Sequence, residues 1–262
     1  MDEYYKDLIL PVWNKYFPKD LDYYSNLDRQ DLLSRFKLEQ IYQNFCIGRA
    51  NYIFAHPKTN YGGMINEDEN NEWLRKMLLQ NALIYYNTCI DFSWELIAFY
   101  YLPKNELEFN ITEEERKKIE SEIDKDELIT RLNMEESILI GKEKEIVKKI
   151  KKLVLEYMEN PLTKRLRKDY NDLKHNRTMD ILDLYKNSFE QFESKCKELH
   201  VGPLKLIDFN IDYYEEKLKE FNNSLYYYIE KLVELLIKPN YKESKYSLGE
   251  IANNIANNMK ID

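Results

Sequence analysis

The sequence predicts an all-α fold, a bundle of long antiparallel helices carrying a charged helical insert. Two kinds of observation predict it. Gly 6 and Pro 7 are low counts for 262 residues, too few for the many tight turns of a sandwich or barrel. Large apolar side chains recur at three- and four-residue spacing over long stretches, the mark of a helix with one buried face. With hydrophobic content at 44%, the chain has enough apolar mass to form a core, and a single domain over 1–262 is expected.

The elements follow in order. Leu8, Val12 and Tyr16 give a short amphipathic opening that Pro11 bends or starts. Asp28 is placed to cap a longer helix, with Leu32, Leu33, Phe36, Ile41, Phe45, Tyr52 and Ile53 on its apolar side and Pro57 as its stop. A loop over 58–66 contains Gly62-Gly63. From 68 to 102 comes a helix dense in large apolar groups, among them Trp73, Met77, Ile84, Ile90, Trp94 and Phe99, which reads as the central buried helix.

Residues 104–137 form the charged insert, with Thr112 and Glu115 matching a capping box. Ile146, Ile150, Leu153, Val154 and Tyr157 mark one face of the next helix, and Lys148, Lys149, Lys151 and Lys152 lie mostly opposite. Asn160-Pro161 is a cap followed by proline at the first helical position, so a new helix starts there and runs at least to Leu173, with room to continue through Ile181 to Tyr185. His200-Val201-Gly202-Pro203 breaks the chain, and 204–209 reads as a short extended piece before a helix over about 212–237. In the tail, Ile251-Ala-Asn-Asn is repeated as Ile255-Ala-Asn-Asn, which predicts a docking helix over about 244–260.

No run of the sequence approaches the twenty or so apolar residues that span a bilayer, and the start Met1-Asp2-Glu3-Tyr4 lacks a signal-peptide pattern. The expectation is a cytoplasmic protein with no membrane partner. Cys46, Cys89 and Cys196 lie far apart without metal-ligand spacing, so reduced thiols and no metal site or cofactor are expected. The formal net charge is −8, which argues against a surface that binds nucleic acid everywhere, and DNA is not expected as a partner. Yet residues 141–177 hold twelve Lys and Arg against six Asp and Glu, a net +6 that leaves −14 on the remainder. Such a segment either faces phosphates or pairs with acidic parts of the same protein.

Within it, Arg167, Asn171 and His175 are spaced four and four on the helix after Pro161, and fall within an arc of about 80°. These are parts suited to metal-free phosphodiester cleavage. An imidazole titrating near neutrality can move the proton of a ribose 2′-hydroxyl, an arginine can hold the phosphate, and the amide can orient either. The plain alternative is a polar histidine near a helix end.

The string Tyr170-Asn171-Asp172-Leu173-Lys174-His175-Asn176-Arg177 resembles the signature of the HEPN superfamily, the higher-eukaryote and prokaryote nucleotide-binding domains. Asn171, Lys174 and His175 match its polar-x-x-Lys-His register. The resemblance implies an all-α bundle, a homodimer that brings two motifs together, and metal-independent endoribonuclease activity of the kind found in toxins and antiphage defence. It makes His175, Arg167 and Asn171 the catalytic candidates, with Lys174, Arg177, Lys168 and Arg165 as RNA contacts. The family's arginine position is here Tyr170, and Arg167 lies one residue outside the usual window. Either Arg167 reaches in from a turn earlier, or the motif binds without cutting.

Arg49 and His56 form a second, looser match with six residues between them, but His56 precedes Pro57 and lacks the polar-Lys-His context. No phosphate loop, dinucleotide fingerprint, zinc-protease motif or nucleophile elbow occurs. The rival to an RNA-cleaving protein is a non-catalytic helical module that binds a protein or nucleotide.

Overall fold

The computed structural model describes residues 29–56, 68–101, 113–174, 179–180, 194 and 207–236. The fold is all-α. The helices among the described residues are α1 (Arg29–Phe54), α2 (Asp68–Tyr100), α3 (Glu113–Glu122), α4 (Lys125–Ile138), α5 (Gly141–Glu159), α6 (Pro161–Lys174) and α7 (Ile211–Leu236). The extended residues described are β1 (Met179–Asp180) and β2 (Ile207–Asp208), which pair in parallel with Met179 opposite Ile207. The extended piece expected over 204–209 is thus found in its second half. Because Met179 is in a ladder, α6 does not run unbroken to Tyr185. The expected opening helix, the 58–66 loop, the Thr112 cap, Cys196 and the 244–260 helix lie outside the described residues.

Caps explain several boundaries. Asn160 accepts from the amides of Leu162 at 2.9 Å and Thr163 at 3.3 Å, and Pro161 takes the first helical position, as the sequence predicts. Asp124 accepts from the Glu127 amide at 2.8 Å to start α4 inside the charged insert, and Asn210 accepts from the Tyr213 amide at 2.8 Å to start α7. Gly141, at φ +62, turns the chain between α4 and α5.

The chain divides into two compact units, and α1, α2, α5 and α7 contribute residues to both. One comprises Met1–Ile9, Asn44–Thr88 and Tyr157–Leu225. Its core includes Phe45, Tyr52, Leu79, Leu83, Tyr86, Leu166, Leu218 and Phe221, all buried. The Tyr86 hydroxyl donates to the Oδ1 of fully buried Asn222 at 3.0 Å, and its ring meets Phe45 and Phe221 at centroid distances of 5.5 and 6.2 Å. A glycine at position 48 is required by this ring, since a Cβ there would sit 2.9 Å from it. Arg75 closes the unit by donating to the Ala55 carbonyl at 3.0 Å and pairing with Glu215 at 2.8 Å.

The other unit comprises Leu10–Gln43, Cys89–Glu156 and Tyr226–Asp262. Every residue of α2 from Ser93 to Phe99 is buried, Trp94 included, so this stretch of about two turns is packed all round. In the first half of α2 Leu79, Ala82 and Leu83 are buried while Trp73, Met77 and Ile84 are substantially exposed, so the helix expected over 68–102 buries Trp94 and much of its apolar set, though not all of it. Lys37 is buried between Glu95, at 2.5 Å, and Glu120, at 2.8 Å, with its ammonium 5.0 Å from the Phe92 ring centroid. Ser93 and Tyr228 share a buried hydroxyl contact of 2.9 Å. Neither Cys46 nor Cys89 is in a disulfide, and the Cys89 sulfur donates to the Ile41 carbonyl at 3.4 Å.

Candidate functional site

The site suggested by sequence sits on α6, which is strongly amphipathic. Thr163, Leu166, Asp169 and Tyr170 are buried, while Arg165, Lys168, Asn171 and Lys174 are exposed. The structure therefore presents three of the four expected RNA-contact residues and one of the three expected catalytic residues to solvent. His175 and Arg177 lie outside the described residues.

Arg167 is placed differently from Asn171 despite their four-residue spacing. It is half-buried, its Nη1 donates to the Asn87 carbonyl at 3.2 Å, and its Cζ lies 5.2 Å from the Tyr170 ring centroid. A guanidinium satisfying a buried helix carbonyl and lying against an aromatic ring fixes α6 onto α2. Tyr170, at the family's arginine position, is the buried ring that carries Arg167 on one side and has the Lys174 ammonium at 5.8 Å.

Next to Tyr170 in the chain, Asp169 is buried with its carboxylate held by two donors, Arg165 Nε at 3.1 Å and the Tyr214 hydroxyl at 2.9 Å. The attraction of Asp169 raises the Arg165 pKa above its ordinary value, and burial, followed by Asp169, raises that of Tyr214. Tyr214 stacks flat on Phe209 with centroids 4.1 Å apart. Arg165, Asn210, Tyr213 and Tyr214 line a shallow cleft of about 440 Å³. Sequence reasoning missed Asp169 and Tyr214. The available signal was the position of Asp169 beside Leu166 and Tyr170 on the apolar side of α6, four residues from an arginine.

The basic residues of the segment divide into paired and unpaired groups. Lys148 bonds Glu145 at 2.8 Å, Lys151 pairs with Glu136, Lys152 reaches Glu156 at 3.6 Å, and Lys164 pairs with Glu159. For these, pairing within the protein accounts for the charge. Lys168 and Lys174 have no acidic partner among the described residues.

The second match, Arg49 and His56, is sited in packed surroundings. Arg49 is half-buried and burial pulls its pKa below the ordinary value, while His56 is buried just past the end of α1. Among the described residues no cluster of His, Cys, Asp or Glu is arranged to hold a metal ion, and no described helix is long and apolar enough to cross a membrane. Comparison with known families, curated proteins and solved structures returns no match.

Proposed function

We propose that this chain is a HEPN-like protein that acts on RNA, with the exposed side of α6 as the docking face and His175 as the general acid or base. One observation carries the reading. Lys168, Asn171 and Lys174 are all exposed on α6, the lysines unpaired by any acid among the described residues, and they lead directly into His175. Lysine ammonium groups free of acidic partners can neutralise phosphates, and releasing the counterions of those phosphates drives binding. Imidazole chemistry on an adjacent 2′-hydroxyl requires no metal. A homodimer bringing two α6 faces together would complete the site as in the family the motif resembles.

A second reading, RNA or protein binding without cleavage, is favoured by the engagement of Arg167 with the Asn87 carbonyl. Labelled RNA incubated in EDTA with wild type and His175→Ala separates the two. Cleavage yielding 2′,3′-cyclic phosphate ends and lost in the variant supports catalysis; binding without cutting supports the second reading. Lys168→Ala and Lys174→Ala should each lower the slope of log affinity against log salt by about 0.7 for single-stranded RNA. An unchanged slope in both would remove α6 as the docking face.

A further inference from the structure

The cleft of about 440 Å³ lined by Arg165, Asn210, Tyr213 and Tyr214 lies within one compact unit, and no acid is among the described residues that line it. The carboxylates nearest in the chain are engaged or stand outside it. Asp169 is bonded by Arg165 and Tyr214, Glu215 by Arg75 at 2.8 Å and Glu216 by Lys217 at 2.9 Å, while Asp212 is exposed but does not line the cleft. Helix α6 carries five Lys and Arg against Asp169 and Asp172, and residues 209–217 carry Asp212, Glu215 and Glu216 against Lys217, so the two stretches together are only +1. What marks the cleft is the form of its groups, not a large total charge.

The guanidinium of Arg165 is held from behind. Its Nε donates at 3.1 Å to the same oxygen of Asp169 that takes the Tyr214 hydroxyl at 2.9 Å, and Asp169 is 3% exposed where Arg165 is 53% exposed. Tyr214 is itself fixed by stacking on Phe209 at 4.1 Å. The two terminal nitrogens of Arg165 have no partner among the described residues, and a planar fork oriented in this way with its two-nitrogen edge open matches two oxygens of a phosphate. Beside it Tyr213, 36% exposed, stands edge-on to Tyr214 at 5.3 Å and offers an aromatic ring of the kind on which bases stack. Asn210 spends its Oδ1 on the Tyr213 amide, which leaves its Nδ2 as a donor toward the cleft.

We infer that this cleft holds one phosphorylated nucleoside, its phosphate on the terminal nitrogens of Arg165 and its base against Tyr213. The combination selects this ligand: a bare phosphate leaves the ring unused, and an unphosphorylated nucleoside leaves the fork unused. The cleft volume is within the range of small-ligand sites. The same unit exists as a free nucleotide and as one link of an RNA chain, and only the second source rests on the proposed action on RNA.

The test is titration of the full chain with adenosine 5′-monophosphate and with adenosine by calorimetry, and with a labelled single-stranded oligoribonucleotide by anisotropy. Wild type should bind the monophosphate about tenfold more tightly than adenosine. Tyr213→Ala should weaken both by about fivefold or more, and Tyr213→Phe should keep both. Arg165→Lys, assayed well below its melting midpoint because the change also loosens Asp169, should weaken the monophosphate about tenfold and leave adenosine unchanged, a split that a general loss of structure would not give. Monophosphate binding with this pattern, in a protein that does not bind the oligoribonucleotide, supports the cleft with a free nucleotide as its source and counts against action on RNA. Oligoribonucleotide affinity lowered by Tyr213→Ala and Arg165→Lys but kept in Tyr213→Phe supports it with a chain link as the source. If wild type binds neither ligand, or if no affinity responds to Tyr213→Ala and Arg165→Lys, the inference is overturned. Oligoribonucleotide binding that falls in Lys168→Ala and Lys174→Ala but in neither cleft variant, without monophosphate binding, overturns it while leaving α6 as the docking face.

Discussion

Replacing Lys37 by methionine removes the cation that two carboxylates share. The Lys37 side chain is 4% exposed and that of Glu95 11%, while Glu120 keeps 22%. Methionine retains most of the aliphatic volume beside Phe92 and Phe99, so packing changes little and the effect is electrostatic. Breaking a buried pair by removing one partner costs about 3–5 kcal/mol, and the partial hydration of Glu120 places Lys37→Met toward the lower end. At roughly 2–4 °C per kcal/mol for a chain of this size, the midpoint should fall by about 10 °C. The pH dependence has a definite sign. Burial raises the Glu95 pKa above that of an ordinary carboxyl, with Lys37 opposing the rise. A carboxyl whose folded pKa is raised binds protons more tightly when folded, so its contribution is fully present below the unfolded pKa and is lost as pH rises through the folded value. Removing Lys37 takes away that opposition, so the deficit should be larger at neutral pH than in mild acid. Thermal and urea denaturation followed by circular dichroism at both pH values measures it, and Lys37→Met with Glu95→Gln should recover much of the loss. A deficit below about 1 kcal/mol at neutral pH, or one that grows on acidification, would refute the reasoning.

Three further outcomes are expected. Arg167→Ala should lower stability by about 1–2 kcal/mol through loss of the bond to the Asn87 carbonyl and the contact with Tyr170, so any loss of activity must be measured well below its melting midpoint; an unchanged midpoint contradicts the anchoring role. Tyr214→Phe strips one of two donors from buried Asp169 and should cost about 1.5–3 kcal/mol in urea denaturation, and a cost within error of zero would show that the hydroxyl is dispensable. Gly48→Ala sets a helix-propensity gain of about 1 kcal/mol against the crowding of a ring held by Asn222, Phe45 and Phe221, and overpacking at about 1–3 kcal/mol should prevail; a stabilised variant would mean that Tyr86 yields easily.

What could be read in advance was what local chemistry decides. The Asn160-Pro161 start of α6, the helix over 212–237 and the buried Trp94 all follow from caps and apolar spacing within one segment. The buried charges could not be read this way. Lys37 lies between hydrophobic residues of α1, and only the fold brings Glu95 and Glu120 to it from more than fifty residues away. Gly48 looked unremarkable within a helix, because its requirement comes from the Tyr86 ring on another helix. The exposure of Trp73, Met77 and Ile84 was not legible either, because a high density of large side chains does not distinguish a helix buried all round from one whose apolar residues are partly left to solvent.

The contrast between Arg167 and Asn171 carries the same point into the candidate site. Spacing of four fixes an angular offset of about 40°, and on a helix lying against others that offset can separate the edge of the packed face from open solvent. Leu166 and Tyr170 are buried, so Arg167 sits at that edge, long enough to reach the Asn87 carbonyl and polar enough to satisfy it. Asn171, one step further round, is exposed. A motif defined by arginine, amide and histidine at helical spacing therefore specifies direction but not depth, and depth decides which arginine can meet a phosphate. On α6 the cations at solvent depth are Lys164, which pairs with Glu159, and Arg165, Lys168 and Lys174. Arg165 is already oriented by Asp169 through Nε, which leaves the two terminal nitrogens of its guanidinium as the part that a phosphate could engage. If RNA is cut, loss of cleavage on Arg165→Ala, assayed well below its melting midpoint because the change also strips a donor from buried Asp169, with cleavage kept in Tyr214→Phe and in Arg167→Ala, would assign phosphate contact to Arg165 and anchoring to Arg167. The opposite pattern would restore Arg167 to the catalytic role that spacing alone suggests.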